Sequence, residues 1–368
     1  MNTKVFSFVD KSNSFMLRFS FLLSLLCLVL ACQQQQPSTP STSSPPKQSY
    51  QKMSGITMGV VQYNLTFDDP KKRIQQVTID SLLAALNMGS SHYEENSTLS
   101  QFNRSTEGIS VENSGYAQHF INNVRVAQEI VEKTDGYFDP TVAPLMKYYG
   151  FRQKNIEGLP RIDTTEVQQL MQQIGFDKIT VEQAPPQVKV QKTNPQTQLD
   201  FSAIAKGYAI DEVGRFLEKK GIENYLVEIG GETRAHGKSP RGSQWRIIIQ
   251  DPKAPRGFRI GVANIDNLSM ATSGNYESFR VIDGQKIGHT MNPKTGFPEK
   301  NNLLSATVFA KDCIIADSYA TAFMAMGLEK AFNLAQKIPD IEAYFVYLDK
   351  KEETLSKATP EAEKIVTD

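Results

Sequence analysis

The sequence predicts an α+β protein. Helix-period stripes and strand-like runs follow one another without a regular strand–helix–strand beat, which disfavours a doubly wound parallel sheet. Asp283-Gly284, between Phe279–Ile282 and Gln285–His289, is a two-residue hairpin signal. Hydrophobic residues make up 40% of 368, and mean hydropathy is −0.37, so a packed core is affordable and a multi-span membrane protein is not. That length suits two domains or one large one. Forty basic side chains balance forty acidic ones, which argues against nucleic-acid binding through bulk charge and against a polybasic membrane patch.

The elements follow in chain order. Lys4, Lys11 and Arg18 precede the apolar run Phe19 to Ala31, too short for a comfortable bilayer helix of about 20 residues and suited to a secretory signal. The run ends Val29-Leu30-Ala31-Cys32, which resembles a bacterial lipobox; Cys32 would then be acylated and become the mature N-terminus. A plain signal peptide with a chance cysteine and a retained anchor are the alternatives. Gln33 to Ser49 is almost all Gln, Pro, Ser and Thr and reads as a disordered tether. The expected organisation is a signal peptide over 1–31, a lipidated Cys and tether over 32–50, and one domain over 51–368. Of Cys27, Cys32 and Cys313, processing leaves one thiol, so no disulfide staples the domain. Cys313 reads as a buried structural thiol.

Met58 to Phe67 alternates as a strand, and Asp69-Pro70 looks like an N-cap with Pro at the first helical position. Helical stripes then run to about Met88, from Ser114 to Thr134, and from Ile204 to Lys220 with Gly221 as a stop. Pro185–Gln198 is polar and reads as an exposed connection. Strands are expected at Tyr225–Ile229, Trp245–Gln250, Ile260–Val262, Phe279–Ile282 and Leu303–Ala310. Helices at Ile314–Met326 and Glu329–Lys337 follow, and Ala343–Leu348 is a closing strand.

Four clusters carry chemistry. Tyr137-Phe138-Asp139-Pro140, continuing to Pro144 and the aromatics Tyr148, Tyr149 and Phe151, makes a rigid, non-helical ledge on which a flat ligand can stack; a capping turn with core aromatics is the structural alternative. Asp200 to Ala209 places small residues and Lys206 at a helix start, a setting for phosphate, although Asp200 could be only an N-cap. Ala271 to Tyr276, with His289 and Asn292-Pro293-Lys294-Thr295-Gly296, sets small polar groups beside a histidine suited to act as a general base. Asp317 and Thr321 are i,i+4, so their oxygens share one helix face, a hard site suited to Mg²⁺ with phosphate or simply a Thr bonding back to its own helix. Gly231 to Ser239 nearly spells a P-loop, but the gap between its glycines is one residue too long and it runs from a strand into another strand-like stretch; GxGxxG, HExxH and CxxC are absent.

In order along the chain stand Ser97 to Asn103, GYFDPTVAPL, LDFSAIAKGYAID, EIGGE, ATSGNY, HTMNPKTG and ADSYATAF. Together they resemble the ApbE family of FAD:protein FMN transferases from about residue 54 to the end. The resemblance implies an ApbE-like, T-fold-related α+β fold of mixed sheets with packed helices, and a flavin site in a cleft between lobes. It implies FAD as substrate, held near Met58, Tyr93, Tyr137, Phe138, Asp139, Asp200, Lys206 and, in the loop after His289, Met291. Magnesium would sit on the Ala203 carbonyl, Asp317 and Thr321. His289 would take the proton from a Thr or Ser hydroxyl of an acceptor protein, a redox-pump subunit or secreted flavoprotein, and AMP would leave. Asn292 stands where many relatives carry Asp, which removes it from the ligand set. The implied location is the extracytoplasmic (periplasmic) face of a bacterial envelope, lipid-anchored to the membrane. An FAD pyrophosphatase and a non-enzymatic flavin-binding lipoprotein are the alternatives.

Overall fold

The computed structural model describes residues 49–151, 162–254, 257–274, 279–282, 285–299 and 301–368. The signal, Cys32, most of the tether, Asn275-Tyr276 and the Asp283-Gly284 turn lie outside the described residues.

The chain runs β1 (Tyr50–Thr57), β2 (Val61–Asp68), α1 (Gln76–Ser90), α2 (Thr98–Arg104), β3 (Gly108–Glu112) and α3 (Gly115–Lys133). A 3-10 turn at Pro140–Val142 leads into α4 (Ala143–Tyr148), then α5 (Thr164–Met171), β4 (Ile179–Ala184), β5 (Gln187–Lys192) and α6 (Ala205–Lys219). Next come β6 (Tyr225–Ile229), β7 (Glu232–His236), β8 (Trp245–Gln250), β9 (Arg259–Ile265), β10 (Leu268–Gly274), β11 (Phe279–Ile282), β12 (Gln285–Gly288) and β13 (Leu303–Ala310). The chain finishes with α7 (Cys313–Met326), α8 (Leu328–Ala335), β14 (Ile341–Leu348), β15 (Thr354–Ala358), α9 (Pro360–Ile365) and β16 (Val366–Thr367).

An eight-stranded antiparallel sheet in the order β1-β2-β6-β7-β10-β13-β14-β15 organises these elements. Strand alternation sends successive side chains to opposite faces. In β13 and β14, Ala306, Val308, Ala343 and Phe345 join the main core with α1, α3, α6 and α7, while Phe309, Tyr344 and Val346 pack with Trp245, Ile249, Ala263 and Ile265 of the sheet β16-β9-β8. Helices thus cover one face and a small sheet covers the other. The α7 helix is apolar almost all round and is buried from Cys313 to Met326 except at Ile315 and Thr321. Cys313 is its first residue and is fully buried.

Four expectations are corrected. Met58 to Phe67 is not one strand: Met58 and Gly59 form the turn of a β1–β2 hairpin, both with positive φ, and β2 begins at Val61. Asp69 does not cap α1. Its carboxylate accepts from Arg73 Nε at 2.9 Å and Ile74 N at 3.0 Å, closing a turn, and the helix starts only at Gln76. Pro185–Gln198 is not merely a connection, because it contains β5, the centre of a β3-β5-β4 sheet. Its polar composition hides a short inward set, Val188, Val190 and Lys192. The strand at Ala343–Leu348 does not close the fold, since β15, α9 and β16 follow it.

Candidate functional site

The site grows from the junction of α6 and α7. Gly207 lets the two helices touch: a Cβ there would sit 2.4 Å from the Cys313 carbonyl oxygen. At this approach the Gly207 N–H donates to Asp317 Oδ2 at 3.0 Å. Lys206, one residue earlier, is half-buried and places Nζ 2.6 Å from Glu232 Oε1 and 3.7 Å from Asp317 Oδ1. Burial opposes the charge on Lys206, but Asp317 and Glu232 together hold its pKa above the ordinary lysine value. Burial and the Asp317 charge raise the Glu232 carboxyl above its ordinary pKa, while the Lys206 ammonium beside it opposes that rise and favours the carboxylate. On the same face of α7, Thr321 Oγ1 lies 3.3 Å from Ser273 Oγ of β10.

These groups line a cavity of about 290 Å³ that also receives Tyr137, Phe138, Asp139, Asp200, Ala203, His289 and Met291. It lies where a small apolar cluster around Leu145, Tyr149 and Met291 meets the main body. The Tyr149 hydroxyl donates to the Gly296 carbonyl at 3.1 Å, tying the aromatic ledge to the loop after His289. The ring of His289 stands 6.4 Å from that of Phe151. Asn292 holds its turn together by accepting from Lys294 N at 2.9 Å and donating to Glu299 at 2.8 Å. A second cavity of about 240 Å³ takes Met58, Tyr93, His92 and Tyr208 and shares Ser202 and Lys206 with the first. The two pockets therefore meet at the helix start that carries the lysine.

The ledge is partly helical, not the non-helical platform expected, because Pro140 and Pro144 each enter a first turn, where the missing N–H costs nothing. Asp139 is engaged inside the protein: it accepts from Thr141 N at 2.8 Å, Thr141 Oγ1 at 2.6 Å and Phe176 N at 3.1 Å. Burial nevertheless raises its pKa. Tyr137 faces the cavity between two ammoniums, Lys294 and Lys330, 5.0 and 5.1 Å from its ring centre. Asp200 is not the N-cap of α6, a position held by Ile204. It accepts from Ser202 N at 2.8 Å and stands 3.6 Å from His92 Nδ1.

The residues implied to hold FAD or a cation thus fall on two adjoining cavities, with His289 and the Asp317–Thr321 oxygen pair on the same one, whereas Tyr148, Tyr149, Phe151 and Asn292 line neither. Glu232 was not singled out. Its signal was the acid closing Glu-Ile-Gly-Gly-Glu, where Gly230 and Gly231 both take positive φ and turn the chain back toward Lys206. Among the described residues no group of three or more His, Cys, Asp or Glu side chains could hold a metal by itself. The Ala203 carbonyl, Asp317 and Thr321 are all hard oxygen donors, which suits a magnesium ion that takes one carboxylate and completes its shell with water and phosphate.

Antiparallel sheets faced by helices, with a lysine, a histidine and a carboxylate–hydroxyl pair around paired pockets, define an α+β protein built to hold a phosphate-bearing ligand. The sequence profile of the ApbE family matches residues 56–345. The FAD:protein FMN transferase of Haemophilus influenzae is 33% identical over 292 residues, 77% of this chain and 83% of that protein. The enzyme of the same description from Escherichia coli K12 is 30% identical over 339 residues, 91% of this chain and 92% of that one. Among solved structures, the flavin transferase ApbE from Vibrio cholerae superposes with a TM-score of 0.74 at 30% identity, over 86% of this chain and all of that one. The apo flavinyl transferase ApbE of Pseudomonas stutzeri gives 0.74 at 28%, over 86% and 97%. The chain belongs to the ApbE family.

Proposed function

We propose that this chain transfers FMN from FAD to a Thr or Ser hydroxyl of a target protein and releases AMP. The observation that carries this is the gathering of Lys206, His289, Asp317 and Thr321 on one cavity beside a second that shares Lys206. Ligand pockets commonly enclose roughly 300–1,000 Å³, so the two cavities together suit a dinucleotide better than either alone. Its diphosphate would lie at Ser202 and Lys206, with one half on each side.

Phosphoryl transfer is chiefly a matter of positioning and of neutralising charge. Lys206 presents an ammonium to the diphosphate. His289 takes the proton from the acceptor hydroxyl, and that oxygen forms a bond to the FMN-side phosphorus as the bond to AMP breaks. A general base of this kind typically contributes about 10²–10⁴ in rate. A magnesium ion on Ala203, Asp317 and Thr321 supplies further neutralisation of the phosphate oxygens when bound. Tyr137, Phe138, Asp139, Met291, Met58, Tyr93 and Asp200 shape the two pockets.

In the same reading residues 1–31 are removed, Cys32 is acylated and the tether places the domain on the extracytoplasmic face of a bacterial membrane. Its acceptors are then redox-pump subunits or secreted flavoproteins. Fatty-acid labelling that persists in Cys32→Ser would contradict the anchor. For the chemistry, the protein is incubated with FAD, Mg²⁺ and an acceptor, and covalent flavin is read by in-gel fluorescence. His289→Ala is expected to lose the signal by about 10²-fold or more while still binding FAD; an unimpaired variant would reject the assigned base.

A further inference from the structure

Glu232 opens β7 directly after the Gly230-Gly231 turn and is 5% exposed. One carboxylate oxygen, Oε1, meets Lys206 Nζ at 2.6 Å. The other, Oε2, is buried and has no hydrogen-bond partner among the described residues, and the residue lines the cavity. A buried carboxylate oxygen left without a hydrogen-bond partner destabilises the fold. Such a group calls for a reason beyond packing.

The reason lies in the competition for one ammonium. Lys206 has two carboxylates within reach, and it stands more than an ångström closer to Glu232 than to Asp317. Asp317 Oδ2 accepts only the Gly207 N–H among the hydrogen bonds of the described residues, and Oδ1 has the lysine no nearer than 3.7 Å. An ammonium seated squarely on Asp317 would occupy the oxygens that face the cavity. It would also put a positive charge where a divalent cation has to sit.

We infer that Glu232 is a positioning residue that holds Lys206 off Asp317, so that the aspartate stays available to a divalent cation while the ammonium stays turned toward the diphosphate. This rests on the cation site proposed above. Glu232 acts through the lysine, not as a ligand of the ion. Removing its charge lets Lys206 fall back on Asp317, and cation affinity drops. Removing Lys206 as well abolishes the competition, and Glu232 then matters little.

The test is a double-mutant cycle read by Mn²⁺ binding in electron paramagnetic resonance, on the whole protein without FAD, with thermal melting to establish that each variant is folded. Glu232→Gln is expected to weaken Mn²⁺ binding about tenfold, and Lys206→Met to strengthen it; in the Lys206→Met background the glutamine change is expected to cost less than about threefold, the non-additivity of groups in contact. Equal losses in both backgrounds, or no loss in the single variant, overturn the inference. A wild-type protein that binds no Mn²⁺ contradicts the cation site itself, and the inference falls with it. Because FAD and acceptor are absent, none of these results is confused with a failure of flavin transfer.

Discussion

Lys192 enters the core from the inward face of β5, in register with Val188 and Val190. Its Nζ donates to the Thr197 carbonyl at 3.0 Å and lies 4.9 Å from the centre of the Phe102 ring. Burial lowers its pKa from the ordinary lysine value to about 8. Between about 8 and 10.5 the unfolded chain therefore binds a proton that the folded one has lost, and stability attributable to this group rises with pH. Below that window both states are protonated and the cost of burying the charge is fully present. Urea unfolding of the wild type and Lys192→Met at pH 7 and pH 10 is expected to show the wild type gaining relative to the variant at the higher pH; an unchanged difference would contradict it. The loop that Lys192 braces is also held by Asn103, which accepts from Leu199 N at 2.7 Å and donates to Leu199 O at 2.9 Å, one residue before Asp200. The sequence displays Asn103 in a motif and Asp200 in another. It does not display that one steadies the other, because the bond spans 96 residues.

At the scale of elements the α6–α7 junction decides the site. Asp211 accepts from Cys313 N and Ile314 N, both at 2.9 Å, capping α7 from the side of α6. Arg234 Nη1 meets it at 2.7 Å. One carboxylate thus joins the helix that carries Lys206 to the helix that carries Asp317 and Thr321. Asp211→Ala is expected to cost about 2–3 kcal/mol in urea denaturation, since it leaves two helix N–H groups unpaired and takes one of three carboxylates from the buried Arg234, which keeps Asp312 and Glu218. Gly207→Ala is expected to destabilise by about 1–3 kcal/mol through the clash with the Cys313 carbonyl and to weaken Mn²⁺ binding by shifting Asp317; a variant of wild-type stability and affinity would show that the close approach is dispensable. These two helices were legible in the sequence, α6 through its apolar stripe at Ile210, Val213 and Leu217 and α7 through its nearly continuous apolar run. The central strand β10 was not, since Ala271, Thr272 and Ser273 are small or polar and carry no alternation. Its place between β7 and β13 is fixed by pairing with partners far along the chain.

Over the whole molecule, the site collects residues from Met58 to Thr321 that no local window contains. The irregular mix of helix and strand patterns made the α+β class readable, and the order of the motifs implied the ApbE-like fold and the ligand class. It could not show that the Glu232 carboxylate would meet Lys206, because the register of β7 against β6 and the double-glycine turn set that contact. Nor could it show the sandwich of helices and a small sheet around the eight strands, which follows from alternation in β13 and β14 read together.

The most direct measurement is the stoichiometry of the reaction. The protein is mixed with FAD, Mg²⁺ and an acceptor protein, and AMP, free FMN and protein-bound FMN are quantified together by chromatography and mass spectrometry. The account predicts one AMP released for each FMN joined to an acceptor Thr or Ser, and almost no FAD cleavage when the acceptor is withheld. Free FMN and AMP appearing at the same rate without acceptor, or tight FAD binding with no cleavage in its presence, would contradict it.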